Sequence, residues 1–286
     1  MAGIPLKPPQ FRRLSTFIET EVGIKMPPAK RVMLESRLQK RLRTLGLTSF
    51  DAYVDHVFNV DNSEIIHMID VVTTNKTDFF REPDHFVYLR ERLLPEHVVN
   101  DGWGIYERFK VWSAASSTGE EAYTLAIVLA EYQRQENDRF DFRILGTDIS
   151  TAVLETARRA IYPTDRIAPV ADQLRRRYFL RSKNRESETV RVRRVLREKA
   201  QFHRLNLMAP RFPIRDRFHV IFCRNVIIYF DRKRQEELLR KLYRYLVPGG
   251  YLFLGHSETL AGLDLPVVSV APTVYRRVEE EQLTYA

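Results

Sequence analysis

From about residue 105, short apolar runs alternate with longer segments in which apolar residues recur every three or four positions. The short runs have the composition of buried strands, and the longer segments have helical spacing. The pattern predicts the following elements: strands at 108–113, 140–147, 218–225 and 251–255, with helices at 120–133, 150–160 and 232–246. Repeated strand–helix–strand units predict an α/β fold with a doubly wound, mostly parallel sheet and right-handed crossovers.

The first quarter of the chain has a purely helical pattern. A helix is predicted at 29–45, where leucines recur every four residues, and Gly46 is placed to end it as a C-cap. Residues 64–72 also have the spacing of a helix. We therefore expect a small N-terminal helical domain at 10–75, followed by an α/β domain at 76–286.

One segment of the α/β domain has a different period. Between about 175 and 204, charged and apolar side chains alternate, as they do in Thr189–Leu196. A period of two is typical of strands that have one solvated face. A small antiparallel β insertion is therefore expected in this segment.

Composition narrows the class of protein. The chain has 286 residues, of which 44% are apolar and 29% are charged, as in a globular protein of one or two domains. No apolar run approaches the roughly 20 residues of a membrane span, and the first residues lack the apolar core of a signal peptide. The single cysteine, Cys223, excludes an internal disulfide and a thiolate-rich zinc site. These features favour a cytoplasmic location.

The positive charge is concentrated in two segments of a chain whose formal net charge is +9. Residues 25–43 contain seven Lys or Arg against one Glu, and residues 172–204 contain twelve Lys or Arg against four Asp or Glu. Such an excess favours an acidic partner. Charge alone leaves nucleic acid, an acidic protein surface and anionic lipid open.

The segment 112–121 is a candidate ligand loop. It leaves a strand through small side chains and opens a helix, so a ligand can approach the backbone and its free amides. Its single glycine distinguishes it from the dinucleotide fingerprint. Glu120 and Glu121 disfavour a phosphate and suit a cationic ligand, although acidic residues also stabilise the start of an ordinary helix.

Two further strand ends have polar side chains. Asp148 follows the second strand and can accept hydrogen bonds from ribose hydroxyls, or it can cap the next helix. Arg224 and Asn225 interrupt the apolar run 220–231 at the carboxyl end of a strand, which is where open α/β sheets bind ligands. The polar segment 73–82 precedes the α/β domain and, taken alone, also fits an interdomain turn.

Taken in order, these segments resemble the CheR family, chemotaxis receptor methyltransferases that use S-adenosylmethionine. The resemblance spans roughly residues 10–276 and also includes Gly-His-Ser-Glu-Thr at 255–259. The similar motifs are Thr-Asn-x-Thr-x-Phe-Phe-Arg at 74–81, Trp-Ser-Ala-Ala-x-Ser-Thr-Gly-Glu-Glu at 112–121, Thr-Asp-Ile-Ser at 147–150 and Phe-Cys-Arg-Asn-Val-x-Ile-Tyr-Phe at 222–230. The resemblance implies a class I methyltransferase fold, Rossmann-like, behind the helical domain.

The resemblance also implies a set of cofactor contacts. Glu121 is the expected acidic contact, with Glu120 as the alternative, and Asp148 is expected to hold the ribose. The remaining implied contacts are Asn75, Thr77 and Arg81 in the first motif, Asn206 and Leu207 beside the adenine, and Arg224 and Asn225 near the methionine moiety.

The implied activity is protein-glutamate O-methylation. Glutamates of chemoreceptors would become methyl esters during receptor adaptation, and S-adenosylhomocysteine would be released. A methyl sulfonium is already activated and a substrate Glu is ionised at pH 7, so neither a strong base nor a metal is expected. Tyr229 is implied near the transferred methyl, and we expect Tyr229 and Arg224 to orient the carboxylate by positioning and desolvation.

The family's substrate, the helical cytoplasmic region of a membrane receptor, suggests roles for the basic segments. Helix 29–45 is expected to dock on acidic methylation helices through side chains on its exposed faces, namely Arg37, Lys40, Arg41 and Arg43. An ordinary solvated helix face is the alternative. The expected location is the cytoplasm, at receptor arrays, without insertion into the membrane.

The β insertion resembles a subdomain that grips a receptor tail in some family members. The glycines of the corresponding loop are absent from 181–188, so a receptor tail and another acidic surface both stay open as partners.

Two other functions compete with receptor methylation. A nucleic-acid methyltransferase is disfavoured because no Asn-Pro-Pro-Tyr-type motif occurs and no exposed aromatic residues interleave with the basic runs. A non-catalytic cofactor-binding module is disfavoured because the implied contact residues are retained.

Overall fold

The computed structural model describes residues 3–184, 187–263 and 265–278. The expected domain end at 286 and residues 185–186 of the basic loop lie outside the described residues. The α-helices are α1 Pro8–Val22, α2 Arg31–Leu45, α3 Phe50–Asp55, α4 Glu64–Val72, α5 Asp84–Tyr88, α6 Leu94–Asn100, α7 Glu120–Gln135, α8 Thr151–Arg159, α9 Asp172–Tyr178, α10 Arg194–Arg197 and α11 Arg232–Tyr245.

Within the residues that the structure describes, ten strands form two sheets. They are β1 Phe109–Ala114, β2 Phe142–Asp148, β3 Ile161–Pro163, β4 Phe179–Arg181, β5 Thr189–Val192, β6 Ala200–Arg204, β7 Phe218–Cys223, β8 Leu246–Leu254, β9 Val267–Ala271 and β10 Val274–Arg277. The larger sheet has the order β6-β2-β1-β7-β8-β10-β9, in which β6 to β8 are parallel and β10 is antiparallel to both its neighbours. The predicted doubly wound, mostly parallel sheet is confirmed.

The central strands follow from their composition. Every residue of β7 is buried, because helices cover both faces of the sheet and a parallel strand between them has no solvated side. Trp112 of β1 is fully buried and donates its indole N–H to Thr147 Oγ1 of β2 at 2.9 Å. Such pairing of a polar ring atom is needed when tryptophan is buried in a core.

The β insertion has different boundaries from those expected. The antiparallel sheet β3-β5-β4 begins at Ile161 and its last strand ends at Val192. Residues 200–204, expected within the insertion, instead pair in parallel with β2 as an edge of the main sheet. An edge strand that is solvated on one face has the same alternation as an antiparallel strand, so the period could not distinguish the two.

The N-terminal helices form the predicted helical unit around their own core, which includes the three leucines Leu34, Leu38 and Leu42 of α2. Gly46 ends α2 with φ at 68°, as the C-cap assignment required. The unit contacts the α/β part through α4, where Asp70 accepts hydrogen bonds from the N–H and hydroxyl of Thr151, each at 2.8 Å. Among the described residues, none of the helices has the length and apolar character needed to cross a bilayer.

Candidate active site

A cavity lies at the carboxyl ends of β1, β2 and β7. In the sheet, β2 and β6 lie on one side of β1, whereas β7 and β8 lie on the other side. This is the switch point at which open α/β sheets bind ligands. The N-terminal unit covers the cavity with apolar side chains that the sequence did not point to: Val22, Ile24, Met26, Met33 and Val72. All ten side chains expected at the cofactor or the reacting carboxylate line it: Asn75, Thr77, Arg81, Glu121, Asp148, Asn206, Leu207, Arg224, Asn225 and Tyr229.

The loop after β1 approaches the cavity through unusual backbone geometry. Ala115 and Ser117 adopt positive φ angles of 62° and 50°, which is uncommon for residues other than glycine and clusters at functional sites. Ser116 lines the cavity, but its hydroxyl is buried without a hydrogen-bond partner among the described residues and lies 3.1 Å from where a Cβ on Gly146 would stand.

Asp148 connects the two loops that border the cavity. Its carboxylate accepts the backbone N–H of Ser117 and that of Ser150, each at 2.9 Å. Burial raises the pKa of this carboxyl, and the backbone hydrogen bonds act against that increase. Ser150, rather than Asp148, caps α8, because its hydroxyl accepts the N–H of Val153. Each carboxylate oxygen retains a second acceptor site for a ligand hydroxyl.

The two carboxylates at the start of α7 have different surroundings. Glu121 lines the cavity, accepts the Ser113 hydroxyl at 2.7 Å and lies 3.4 Å from Arg224 Nη1. Glu120 is 1% exposed and is bound instead by Arg166 at 2.7 Å. The geometry therefore favours Glu121 as the acidic contact. Burial raises its pKa, while the charge of Arg224 and the hydrogen bond from Ser113 lower it.

Arg224 is enclosed by acidic and carbonyl groups. Its Nε and Nη2 donate to Glu82 at 3.2 and 2.9 Å, and Nη2 also donates to the carbonyl of Arg81. The Arg224 side chain is 2% exposed. The expectation that this guanidinium orients a substrate carboxylate does not fit the geometry, because Glu82 and Glu121 already neutralise its charge.

Sequence reasoning missed Glu82, the last residue of the segment 73–82. Its other oxygen accepts the side-chain amide of Asn225 at 3.0 Å, so one carboxylate holds two neighbouring residues of β7's end. Burial opposes the charge, but the hydrogen bond from Asn225 and the guanidinium of Arg224 hold the pKa of Glu82 below its ordinary value. The sequence signal for Glu82 was its position as an acidic residue in a polar motif, but Arg224, with which it pairs, lies 142 residues away.

The first motif contributes a cation to the cavity. Arg81 lines the cavity and its Nη1 donates to the carbonyl of Lys76 at 3.0 Å, with no carboxylate bound to it in the described residues. Thr77 is buried beneath it, and the Asn75 side chain donates to Thr73 Oγ1 at 3.1 Å. Arg81 is therefore better placed than Arg224 to attract an anionic group.

The far end of the cavity is less polar. Leu207 is 8% exposed and presents an apolar wall. The side chain of Asn206 is occupied, since it donates to the carbonyl of Glu21 at 2.6 Å and accepts the N–H of Met208 at 2.9 Å. This end therefore offers an apolar surface with a polar rim, as a planar base requires.

Tyr229 lies in a short 3-10 turn between β7 and α11 and is half-buried at the cavity. Its carbonyl accepts the N–H of Lys25, which links the turn to the N-terminal unit at 3.0 Å. The turn thus brings the phenol to the cavity from the same strand end that holds Arg224 and Asn225.

In the described part of the chain, one group of side chains has the spacing of metal ligands. Glu82, His85 and His256 have ligand atoms within 4.8 Å of one another. Glu82 is already bound by Arg224 and Asn225, and the adjacent guanidinium would repel a divalent cation. Burial and the nearby Arg224 lower the pKa of His85 to about 4, so it is neutral at pH 7.

The expected docking face of α2 is only partly exposed. Arg41 makes a two-point ion pair with the buried Glu64 at 2.8 and 2.6 Å. Arg37 donates to the carbonyl groups of Val72 and Thr73, at the start of the cavity-lining segment. The expectation that Arg37 and Arg41 lie free on an exposed face is therefore wrong, because both satisfy internal acceptors.

Lys40 and Arg43 do lie on the exposed side of α2. Neither side chain has a hydrogen-bond or ion-pair partner within the residues that the structure describes. These two cations are thus the part of the predicted face that is available to another molecule.

The topology and the cavity are those of an open α/β protein that binds a ligand at its switch point, and the family models assign it to the S-adenosylmethionine-dependent methyltransferases. A family model described as "CheR methyltransferase, SAM binding domain" matches residues 75–274, and "CheR methyltransferase, all-alpha domain" matches residues 9–73. The chain belongs to the CheR methyltransferase family, as the motifs predicted.

Curated relatives match over nearly the whole chain. A "Chemotaxis protein methyltransferase" of Escherichia coli is 39% identical over 95% of this chain and 92% of its own. A protein of the same description from Borreliella burgdorferi is 36% identical over 94% of both chains. "Chemotaxis protein methyltransferase 2" of Pseudomonas aeruginosa is 37% identical over 93% of this chain and 91% of its own.

Proposed function

We propose that the protein transfers a methyl group from S-adenosylmethionine to side-chain carboxylates of glutamates in chemoreceptors. The observation that supports this best is the match to relatives described as chemotaxis protein methyltransferases, over more than nine-tenths of the E. coli and Borreliella chains as well as this one. The products would be glutamate methyl esters and S-adenosylhomocysteine. The location consistent with this role is the cytoplasm, beside membrane receptor arrays.

The cavity residues fit S-adenosylmethionine. The acceptor sites of the Asp148 carboxylate that backbone N–H groups do not use suit ribose hydroxyls. Glu121 and the nearby Glu82 create a negative environment for the amino group and the sulfonium, and Leu207 would contact the base. When bound, the cofactor supplies a methyl group that is activated by the positive sulfur.

The chain's own groups would then position the substrate. Arg81 and Lys76, at the cavity, would attract the incoming carboxylate, and Tyr229 would hold it by donating a hydrogen bond. The bound cofactor would supply the electrophilic methyl group, and Arg81, Lys76 and Tyr229 would align the carboxylate oxygen with it. Because the glutamate is already ionised at pH 7, no proton has to be removed. Arg224 would keep Glu82 and Glu121 in place without contacting the substrate.

Labelled methyl transfer to receptor-containing membranes, followed by an alkali-lability test, would examine this proposal. We expect base-labile label on a receptor band, because a carboxyl methyl ester hydrolyses in alkali whereas an N-methyl group does not. Label that resists alkali, or label that appears only on added nucleic acid, would contradict receptor esterification while leaving the cofactor site intact.

We further propose that Lys40 and Arg43 dock on acidic receptor helices. Reversing both charges, with Lys40→Glu and Arg43→Glu, should lower the rate of receptor methylation about tenfold at low ionic strength, since charges at an interface steer association. Affinity for the cofactor should not change, because neither side chain reaches the cavity.

The matched control reverses the charges of Arg139 and Arg143. These two exposed cations lie near the amino end of β2, whereas the cavity lies at the carboxyl ends of the strands. Methylation rates of the two double variants, compared across salt concentrations, measure how much the charges of Lys40 and Arg43 contribute to docking. An equal loss of rate in both double variants would mean that net charge, rather than the α2 surface, controls the rate.

The β insertion, with its basic strands, is a second proposed contact for an acidic receptor surface or tail.

A further inference from the structure

A buried carboxylate outside the predicted site holds the backbone of the turn between β7 and α11. Glu258 is 4% exposed and accepts four backbone N–H groups. Its Oε2 accepts those of Gly255 at 2.7 Å and Asn225 at 2.9 Å. Its Oε1 accepts those of Ile227 at 2.9 Å and Ile228 at 3.4 Å.

This arrangement is specific to a carboxylate. In the described residues no cation forms an ion pair with Glu258, so the four N–H dipoles are what offsets its buried charge. Burial raises the pKa of Glu258, and each of the backbone hydrogen bonds lowers it. An acceptor with two oxygens can satisfy both pairs of donors, which a neutral amide cannot do.

The neighbouring backbone is shaped around this contact. Asn225 adopts a positive φ of 58°, in the left-handed region that asparagine tolerates better than most non-glycine residues. A Cβ at Gly255 would lie 2.4 Å from the Asn225 side-chain amide and 2.9 Å from Glu258 Oε2. The glycine therefore permits the close approach of the two chain segments.

The turn is anchored differently at its two ends. Glu82 independently holds the side chains of Arg224 and Asn225. The N–H groups of Ile227 and Ile228, which precede Tyr229, depend on Glu258. Loss of the Glu258 carboxylate should therefore displace Tyr229 more than it displaces the residues at the strand end.

We propose that Glu258 is a positioning residue that holds Tyr229 at the reacting carboxylate by fixing the backbone of the turn. The inference rests on the proposed methyl transfer for its kinetic consequence. The anchoring of the turn can be measured without any receptor. A misplacement of about 1 Å in a reacting group can cost about a hundredfold in rate, which sets the scale of the effect.

The test is Glu258→Gln, which keeps the shape of the side chain but turns one acceptor into a donor. We expect kcat for receptor methylation to fall about 30- to 100-fold, while the Kd for S-adenosylhomocysteine changes less than about threefold. Hydrogen exchange by mass spectrometry should show faster exchange in the peptide covering 224–230 and unchanged exchange in β1. Ser257→Ala, an exposed position in the same loop, serves as the matched control.

Two results would overturn the inference. One is exchange in Glu258→Gln that rises throughout the molecule, which would mean general destabilisation. The other is local exchange, kcat and Kd no different from those of Ser257→Ala. If the wild-type protein methylates no receptor, the proposed function fails, and the exchange measurement still decides whether Glu258 anchors the turn.

Discussion

Replacing Arg224 with methionine is expected to lower the free energy of unfolding by about 3–5 kcal/mol at pH 7.5. Methionine preserves most of the length of the side chain but leaves the half-buried Glu82 and Glu121 without the guanidinium between them. Removing one partner from a buried ion pair costs more than the pair itself contributes, because an uncompensated charge stays in the interior. Urea unfolding without cofactor measures the change.

The destabilisation should depend on pH. In the wild-type protein the folded-state pKa of Glu82 is lowered, so its contribution is present above the unfolded pKa, roughly 4.3, and is lost as the pH falls through the folded pKa. Without Arg224 the part of this contribution that comes from its charge and hydrogen bonds disappears, while the hydrogen bond from Asn225 remains. The difference in unfolding free energy between wild type and variant should therefore be largest at neutral pH and narrow as the pH falls below about 5.

Arg240→Met provides the matched control, since Arg240 is 44% exposed and pairs with Glu236 on the surface of α11. A surface pair of this kind contributes about 1 kcal/mol or less. If both variants lose the same stability, or if the Arg224 effect is independent of pH, then Arg224 does not stabilise the charges of Glu82 and Glu121.

Asp148→Ala is expected to weaken the binding of S-adenosylhomocysteine about a hundredfold. The change removes an acceptor for the ribose hydroxyls, and it also frees the N–H groups of Ser117 and Ser150, which shape the two bordering loops. A hydrogen bond to a charged group contributes about 1.5–3 kcal/mol, and each 1.4 kcal/mol is tenfold in affinity. Isothermal titration calorimetry measures the change.

Asp148→Asn should lie between the wild type and Ala, because one amide oxygen still accepts while the NH₂ faces a backbone donor. Asp138→Asn, at an exposed aspartate in the loop after α7, controls for the change in net charge. Unchanged affinity in Asp148→Ala would mean that this carboxylate only supports the loops and does not contact the ribose.

The elements that follow from local pattern were predicted well. Gly46 ends α2 as its residue type predicts, because capping depends on neighbours within one turn. The hairpin β9–β10 and the helical stretch 84–100 were not predicted. In the hairpin, several side chains of β9 are exposed, so the apolar alternation that marks a half-buried strand is weak there.

Charged residues show where the pattern is insufficient. Arg37, Lys40, Arg41 and Arg43 look alike on a helical projection, yet Arg41 is paired with the buried Glu64 and Arg37 with carbonyl groups of the cavity-lining segment. Their partners lie 23 to 36 residues away. A helical period describes which side of a helix a residue occupies, but not which distant group meets it there.

The sequence by itself determined the order of the elements, the strand ends at which a cofactor site forms and the family to which the chain belongs. These follow from local spacing and from motifs whose members are close in the chain. Only the tertiary structure placed Glu121 at the cavity and paired Glu120 with Arg166, enclosed Arg224 between two carboxylates and brought Glu82 and Glu258 to the end of β7. The reason is that a buried charge is stabilised by groups that folding brings together. The number of residues between such groups follows no regular period, so a periodic pattern in the sequence cannot identify them.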